Sequence, residues 1–246
     1  MRFNQHLPSI FTLTNLFLGF IAIINIQQDN YFIACYVLLA AGAFDSIDGK
    51  IARILRIPTN FGKEIDSLAD MVSFCLAPAL LVYSLYTQNM PGISGEVIAS
   101  APLIMGAIRL ARFNTKEDKP TDSFIGLPTP INALAIASLV LFIEHVKLDN
   151  PQYSEPRLLL PLILSLSFLL VSRVKFPKFP LLNFNHGKHN TYRLIGVLIF
   201  ICCFSVSIFM GFPYRVLAFF VAYYLLSSLF MHMVNLGNIE TKNQEI

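Results

Sequence analysis

Eight apolar stretches, each close to the length of a bilayer-crossing helix, run along the chain at about 8–27, 31–52, 65–87, 96–113, 126–146, 157–173, 193–211 and 213–234. A crossing helix takes about 20 residues, because the hydrocarbon layer must be spanned with every backbone N–H and C=O paired inside the helix. Spans this closely spaced leave no room for a soluble domain. The expectation is an all-α, polytopic membrane helical bundle of about eight transmembrane helices, forming a single membrane domain over 1–246. Composition agrees: 13% of residues are charged, against about a quarter in a soluble domain. The first stretch is too long for a signal-peptide core, and no small-residue cleavage site clearly follows it, so it is expected to remain a membrane helix. Cys35, Cys75, Cys202 and Cys203 all lie in apolar segments without a C-x-x-C pair, and are expected to be buried packing residues.

Orientation follows from the basic residues. Fifteen of the 18 lysines and arginines fall at the two termini and in the loops after spans 2, 4 and 6; only Lys147, Arg157 and Arg215 fall on the other side. The positive-inside rule then puts both termini and those loops in the cytoplasm. Of these loops, 53–64 contains Pro58, which breaks a helix near Ile57, and Thr59 or Asn60 can cap the helix that follows. The loop at about 109–125 is charged, and 173–192 is basic and Pro-rich.

Against this apolar background stand four aspartates in two adjacent spans: Asp45, Asp48, Asp66 and Asp70. Each ionisable residue within a span costs roughly 2.5–3.5 kcal/mol on insertion scales, so a counter-charge is required. Arg53 could serve one carboxylate, whereas a divalent cation serves four. Asp45 and Asp48 are three apart and share a helix face, which Ala52 continues. Gly62, Asp66 and Asp70 recur every four residues, again on one face. Pro58 divides two helices that must run antiparallel, with Asp48 and Asp66 each ~12 Å inside its helix end at ~1.5 Å per residue. The two pairs should therefore meet at one depth, on the cytoplasmic side. An all-oxygen site suits Mg²⁺ or Mn²⁺ rather than Zn²⁺, and substrate phosphates commonly complete such a site. Gly49, Ala52 and Gly62 leave room for a large ligand, and Arg53 offers a fork for a phosphate.

The full pattern, D-x2-D-G-x2-A-R-x8-G-x3-D-x3-D over residues 45–70, resembles the signature of the CDP-alcohol phosphatidyltransferase family at every fixed position. The resemblance implies two metal ions held by Asp45, Asp48, Asp66 and Asp70, with Asp70 also acting as general base. It implies that Asp45, Gly49, Ala52, Arg53, Gly62 and Asp66 face the CDP moiety. Further segments resemble the serine-accepting branch: the opening Leu7-Pro8-Ser9 through Thr14-Asn15, Arg109-Leu-Ala-Arg112-Phe-Asn114, Gly126-Leu-Pro128-Thr-Pro130, and Ser172-Arg173-Val-Lys175-Phe-Pro177. So does the layout of six core spans over about 8–173 plus two C-terminal helices over about 193–234. The implied reaction transfers the phosphatidyl group from CDP-diacylglycerol to the hydroxyl of L-serine, releasing CMP. Membrane lipids are the expected surroundings, nucleic acid is not an expected partner, and the family is often homodimeric.

The core signature does not choose the acceptor; glycerol 3-phosphate, inositol phosphate and choline serve other members. A serine carboxylate, or the lipid phosphate, calls for a cation, and Arg109, Arg112 and Lys175 are the candidates, with Arg112 favoured. The same residues could instead be positive-inside anchors, as Lys178 and Lys188 also could. His186 and His189 stand among asparagines with no carboxylate or Cys nearby, and read as a surface loop rather than a metal site. Thr14 and Asn15 could touch the nucleotide or only pack helices. A divalent-cation transporter would also place carboxylates in spans, but would spread them across several spans at the midplane.

Overall fold

The computed structural model of the chain describes residues 7–55, 60–115, 123–150, 159–177 and 188–244. These are almost wholly helical, and they group into two compact units. The first comprises 1–119 and 126–173, the second 120–125 and 174–246.

The first unit is built of α1 (Leu7–Gln27), α2 (Tyr31–Leu55), α3 (Asn60–Asp70), α4 (Ala77–Val82), α5 (Ser94–Ala99), α6 (Ala101–Asn114), α7 (Thr129–Asp149) and α8 (Leu159–Val171). Among the described residues, five segments are long and apolar enough to cross a membrane: Ile10–Gln27, Phe61–Thr87, Ser94–Asn114, Thr129–Asp149 and Pro213–Val234. Tyr31–Ile47, Leu159–Val171 and Leu194–Met210 are shorter apolar helices. Together they match the eight stretches of the sequence, and the chain is a multi-pass membrane protein. Large apolar side chains such as Phe17, Phe20, Ile104 and Phe168 are exposed along these helices, as lipid contact requires.

Two of the long segments are not plain α-helices. The third continues from α3 through a π-helical stretch, Met71–Leu76, into α4, and then through a second, Tyr83–Thr87. Pro78 explains the first stretch: it has no N–H for the ladder, and its ring would crowd the carbonyl four residues back. One extra residue in the turn relieves that clash. The fourth segment bends at Ser100, between α5 and α6, where Pro102 opens the new helix.

The π-helical stretch after Asp70 lies at the centre of the first unit. It packs against α1, α2, α6 and α7. Phe74 is buried with Ala41 of α2 and Ala133 of α7, and Leu18 of α1 packs on this cluster. Small residues let the backbones approach, as is common between membrane helices. A Cβ on Gly19 would come within 2.8 Å of the Ser73 Cα, and one on Gly106 would collide with the Cys75 side chain. The Ser73 hydroxyl donates to the Asn15 carbonyl at 2.9 Å, tying α1 to the same stretch. At the opposite end of this unit, Glu144 accepts from the Tyr86 hydroxyl at 2.8 Å and from Lys147 at 2.7 Å.

Gly126 sets where α7 begins. Its φ of 80° is left-handed, and a Cβ there would strike the Leu170 carbonyl. The Leu127 N–H donates to the Leu169 carbonyl at 2.9 Å. The first turn of α7 is thereby docked on the end of α8.

The second unit departs from an all-helical expectation in one small element. Strands β1 (Ser123–Ile125) and β2 (Lys175–Pro177) form an antiparallel pair in which Phe124 faces Phe176. Phe176 is buried against Tyr224, whose hydroxyl donates to the Pro177 carbonyl. Helices α9 (Lys188–Met210) and α10 (Pro213–Gln244) pack through Phe200 and Phe220, with ring centroids 4.5 Å apart.

The cysteine expectation needs a correction. Cys35 and Cys75 are buried, but Cys202 and Cys203 are exposed on α9. An apolar helix surface can be satisfied by lipid, so an apolar context alone does not bury a residue in protein.

The Gly106–Cys75 approach makes a test of packing. Gly106→Ala should lower stability by about 1–3 kcal/mol, the usual range for overpacking, and Cys75→Ala should restore most of the loss in the double variant. Thermal unfolding in detergent measures both. Independent, additive effects of the two substitutions would contradict the close approach.

Candidate active site

Asp45 enters from α2, and Asp66 and Asp70 enter from α3. One carboxylate oxygen from each lies within 4.8 Å of the others. Asp70 is buried, and Asp45 and Asp66 are half-buried. Three carboxylates this close repel one another unless a cation sits among them. Oδ1 of Asp66 and Oδ1 of Asp70 are both buried without a hydrogen-bond partner among the described residues. Buried carboxylate oxygens are normally paired or ligate a metal. The donor set therefore fits a divalent cation bound by oxygen.

Asp48, Gly49, Ala52 and Arg53 follow on the last turns of α2, where the side chains lie outside the described residues. Pro58 and Thr59 also lie outside them, whereas α3 begins at Asn60, one of the two residues expected to cap it. Gly62 is on the first turn of α3, one turn before Asp66.

Helix α6 brings its own polar residues to α3. Asn114 donates to the Ser67 hydroxyl at 3.0 Å, next to Asp66. Lys63 lies over the Phe113 ring at 5.6 Å. The two arginines of α6 have different surroundings. Arg109 donates to the Thr129 hydroxyl at 3.3 Å, and Thr129 donates to Oδ2 of Asp70 at 3.2 Å. Arg112 instead donates to the Val171 carbonyl at 3.2 Å, at the end of α8. Of the pair, Arg109 is the one linked to the carboxylates. Lys175 is exposed on β2, opposite Ile125, in the second unit.

Thr14 spends its hydroxyl on the Ile10 carbonyl of its own helix, at 2.8 Å. Asn15 is fully buried, and its amide has no hydrogen-bond partner among the described residues. His186 and Lys178 lie outside the described residues; Lys188 and His189 open α9, with side chains that also fall outside them. Thr129 carries no signal in the sequence beyond its place between Pro128 and Pro130. Its tie to Asp70 crosses 59 residues and exists only in the fold.

A model of the CDP-alcohol phosphatidyltransferase family matches residues 5–172. The chain belongs to that family. The match covers α1 to α8 and carries the carboxylate cluster; α9 and α10 lie beyond it. Among known relatives of this family, a protein of Helicobacter pylori is 36% identical over 216 residues, 83% of this chain and 86% of its own length. One of Bacillus subtilis is 33% identical over 176 residues, 71% of this chain and 92% of its own. One of Methanocaldococcus jannaschii is 34% identical over 169 residues, 69% of this chain and 72% of its own. All three are named CDP-diacylglycerol–serine O-phosphatidyltransferase.

Mn²⁺ binding, read by electron paramagnetic resonance on the purified protein, tests the cluster. Asp45→Asn, Asp66→Asn and Asp70→Asn should each weaken binding at least about tenfold, in line with the loss of a ligand. Asp29→Asn, in the turn between α1 and α2, should leave it unchanged. Equal affinity in all four variants would remove the cluster as a metal site.

Proposed function

We propose that the chain is a phosphatidylserine synthase, which transfers the phosphatidyl group of CDP-diacylglycerol to the hydroxyl of L-serine and releases CMP. The observation that carries the chemistry is the convergence of Asp45, Asp66 and Asp70, with two buried oxygens unpartnered. The choice of serine is supported by the names of relatives that align over 69–83% of the chain.

The cluster, with Asp48 beside it on α2, would hold Mg²⁺ or Mn²⁺, two ions in all. Such ions neutralise a diphosphate and stabilise CMP as the leaving group. The residues of the chain do the rest. Asp45, Gly49, Ala52, Arg53, Gly62 and Asp66 line the CDP end of the donor, with Arg53 as the phosphate fork. Asp70 accepts the proton of the serine hydroxyl as its oxygen bonds to the lipid-bearing phosphorus. The bond from that phosphorus to the CMP oxygen breaks, and CMP leaves with the electron pair. Arg109 is the cation nearest this chemistry, through Thr129, and is favoured over Arg112 and Lys175 for holding the serine carboxylate or the lipid phosphate.

The two units act as one membrane domain in this proposal. Fifteen of 18 basic residues support an orientation with both termini and the site at the cytoplasmic face, where CDP-lipid headgroups and serine are both accessible.

Purified protein supplied with CDP-diacylglycerol, Mg²⁺ or Mn²⁺ and a panel of alcohols tests this directly. CMP should appear with serine, stop with EDTA and resume with added Mn²⁺. Asp70→Asn should lower kcat by about 10²–10⁴, the usual contribution of a general base. Release with glycerol 3-phosphate and not serine would move the acceptor; release with no alcohol would overturn the reaction.

A further inference from the structure

Asp70 is the end point of a hydrogen-bond chain that lies outside the 45–70 signature. Arg109 of α6 donates from Nη1 to Oγ1 of Thr129, and Thr129 donates to Oδ2 of Asp70. The direction of this chain is dictated by chemistry. A guanidinium has only donors, so the Thr129 oxygen must accept from it. A hydroxyl has one proton, and that proton is then committed to Asp70.

The position of Thr129 is set from several sides. It is fully buried on the first turn of α7. Gly126 and the Leu127–Leu169 hydrogen bond seat that turn against α8. Pro128 and Pro130 restrict the backbone on either side of it. A Cβ on Gly106 would lie 3.8 Å from the Thr129 methyl, so α6 closes on it as well. Threonine is stiff at χ1, so a fixed backbone also aims the hydroxyl. With Oδ2 held, the Asp70 carboxylate cannot turn freely, and Oδ1 is the oxygen left without a partner among the described residues.

We propose that Thr129 is a positioning residue for Asp70, its hydroxyl fixing the rotation of the carboxylate while Arg109 fixes the hydroxyl. The rotation matters because a base or metal ligand displaced by a fraction of an ångström loses much of its effect. In its kinetic form the proposal rests on the transfer reaction above.

The experiment compares Thr129→Val, which keeps the shape and removes the donor, with Thr129→Ser, which keeps the donor. Serine-dependent CMP release and Mn²⁺ affinity are measured on the full chain in detergent. Thr129→Val should lower kcat about 10- to 100-fold, with KM for CDP-diacylglycerol changed less than about threefold and Mn²⁺ bound several-fold more weakly. Thr129→Ser should recover most of both. Wild-type kcat in Thr129→Val, or an equal loss in the two variants, overturns the proposal. If Thr129→Val does not fold, Thr129→Cys, a weak donor of similar size, replaces it under the same criteria. If the wild type releases no CMP with any alcohol, the transfer reaction fails by itself, and Mn²⁺ affinity decides the role of Thr129. Weaker binding in Thr129→Val alone then supports it, and unchanged binding overturns it.

Discussion

Carboxylates gathered inside an apolar helical protein repel one another and are poorly solvated, and much of the first unit is arranged around that difficulty. Asp45, Asp66 and Asp70 lie within ligating distance of one another, a geometry that is unfavourable without a cation and favourable with one. Burying like charges side by side costs stability rather than adding to it. The cluster is therefore explained by chemistry and not by folding. Helical spacing puts the acids on facing surfaces of α2 and α3, and surrounding contacts hold them together against their repulsion.

Those contacts run through the π-helical stretch Met71–Leu76. It follows Asp70 directly, and its residues meet Gly19 on one side and Gly106 on another. Ser73 ties it to α1, and Phe74 fills the space between α2 and α7. A π-turn rotates the helix face relative to a regular α-helix, so the residues after Asp70 point differently from those an unbroken helix would present. The consequence is a closely packed stretch adjoining the carboxylates. Phosphoryl transfer depends mainly on positioning and charge stabilisation, and close helical packing suits both.

The family signature lies entirely within α2 and α3, yet the residues that complete the surroundings of Asp70 come from α6 and α7. Arg109 and Arg112 look equivalent in the chain, three residues apart on one helix. Their partners separate them: one reaches the carboxylate through Thr129, and the other secures the end of α8.

The sequence by itself determined the class of fold, the eight apolar segments, the family and the aspartates. These rest on local quantities: hydropathy over about 20 residues, helical spacing, and the cost of charge in lipid. Gly62, Asp66 and Asp70 recur at four-residue intervals, and that spacing alone places the two carboxylates on one helix face. Only the tertiary structure decided what each of them touches. Thr129 reaching Asp70, Gly106 admitting Cys75 and the β1–β2 pair all join residues far apart in the chain, and no periodicity announces them. Exposure was equally illegible, as Cys202 and Cys203 illustrate, because lipid and protein interior accept the same side chains. The four aspartates announce metal chemistry from sequence; how Asp70 is aimed was left to the packing of α6 and α7.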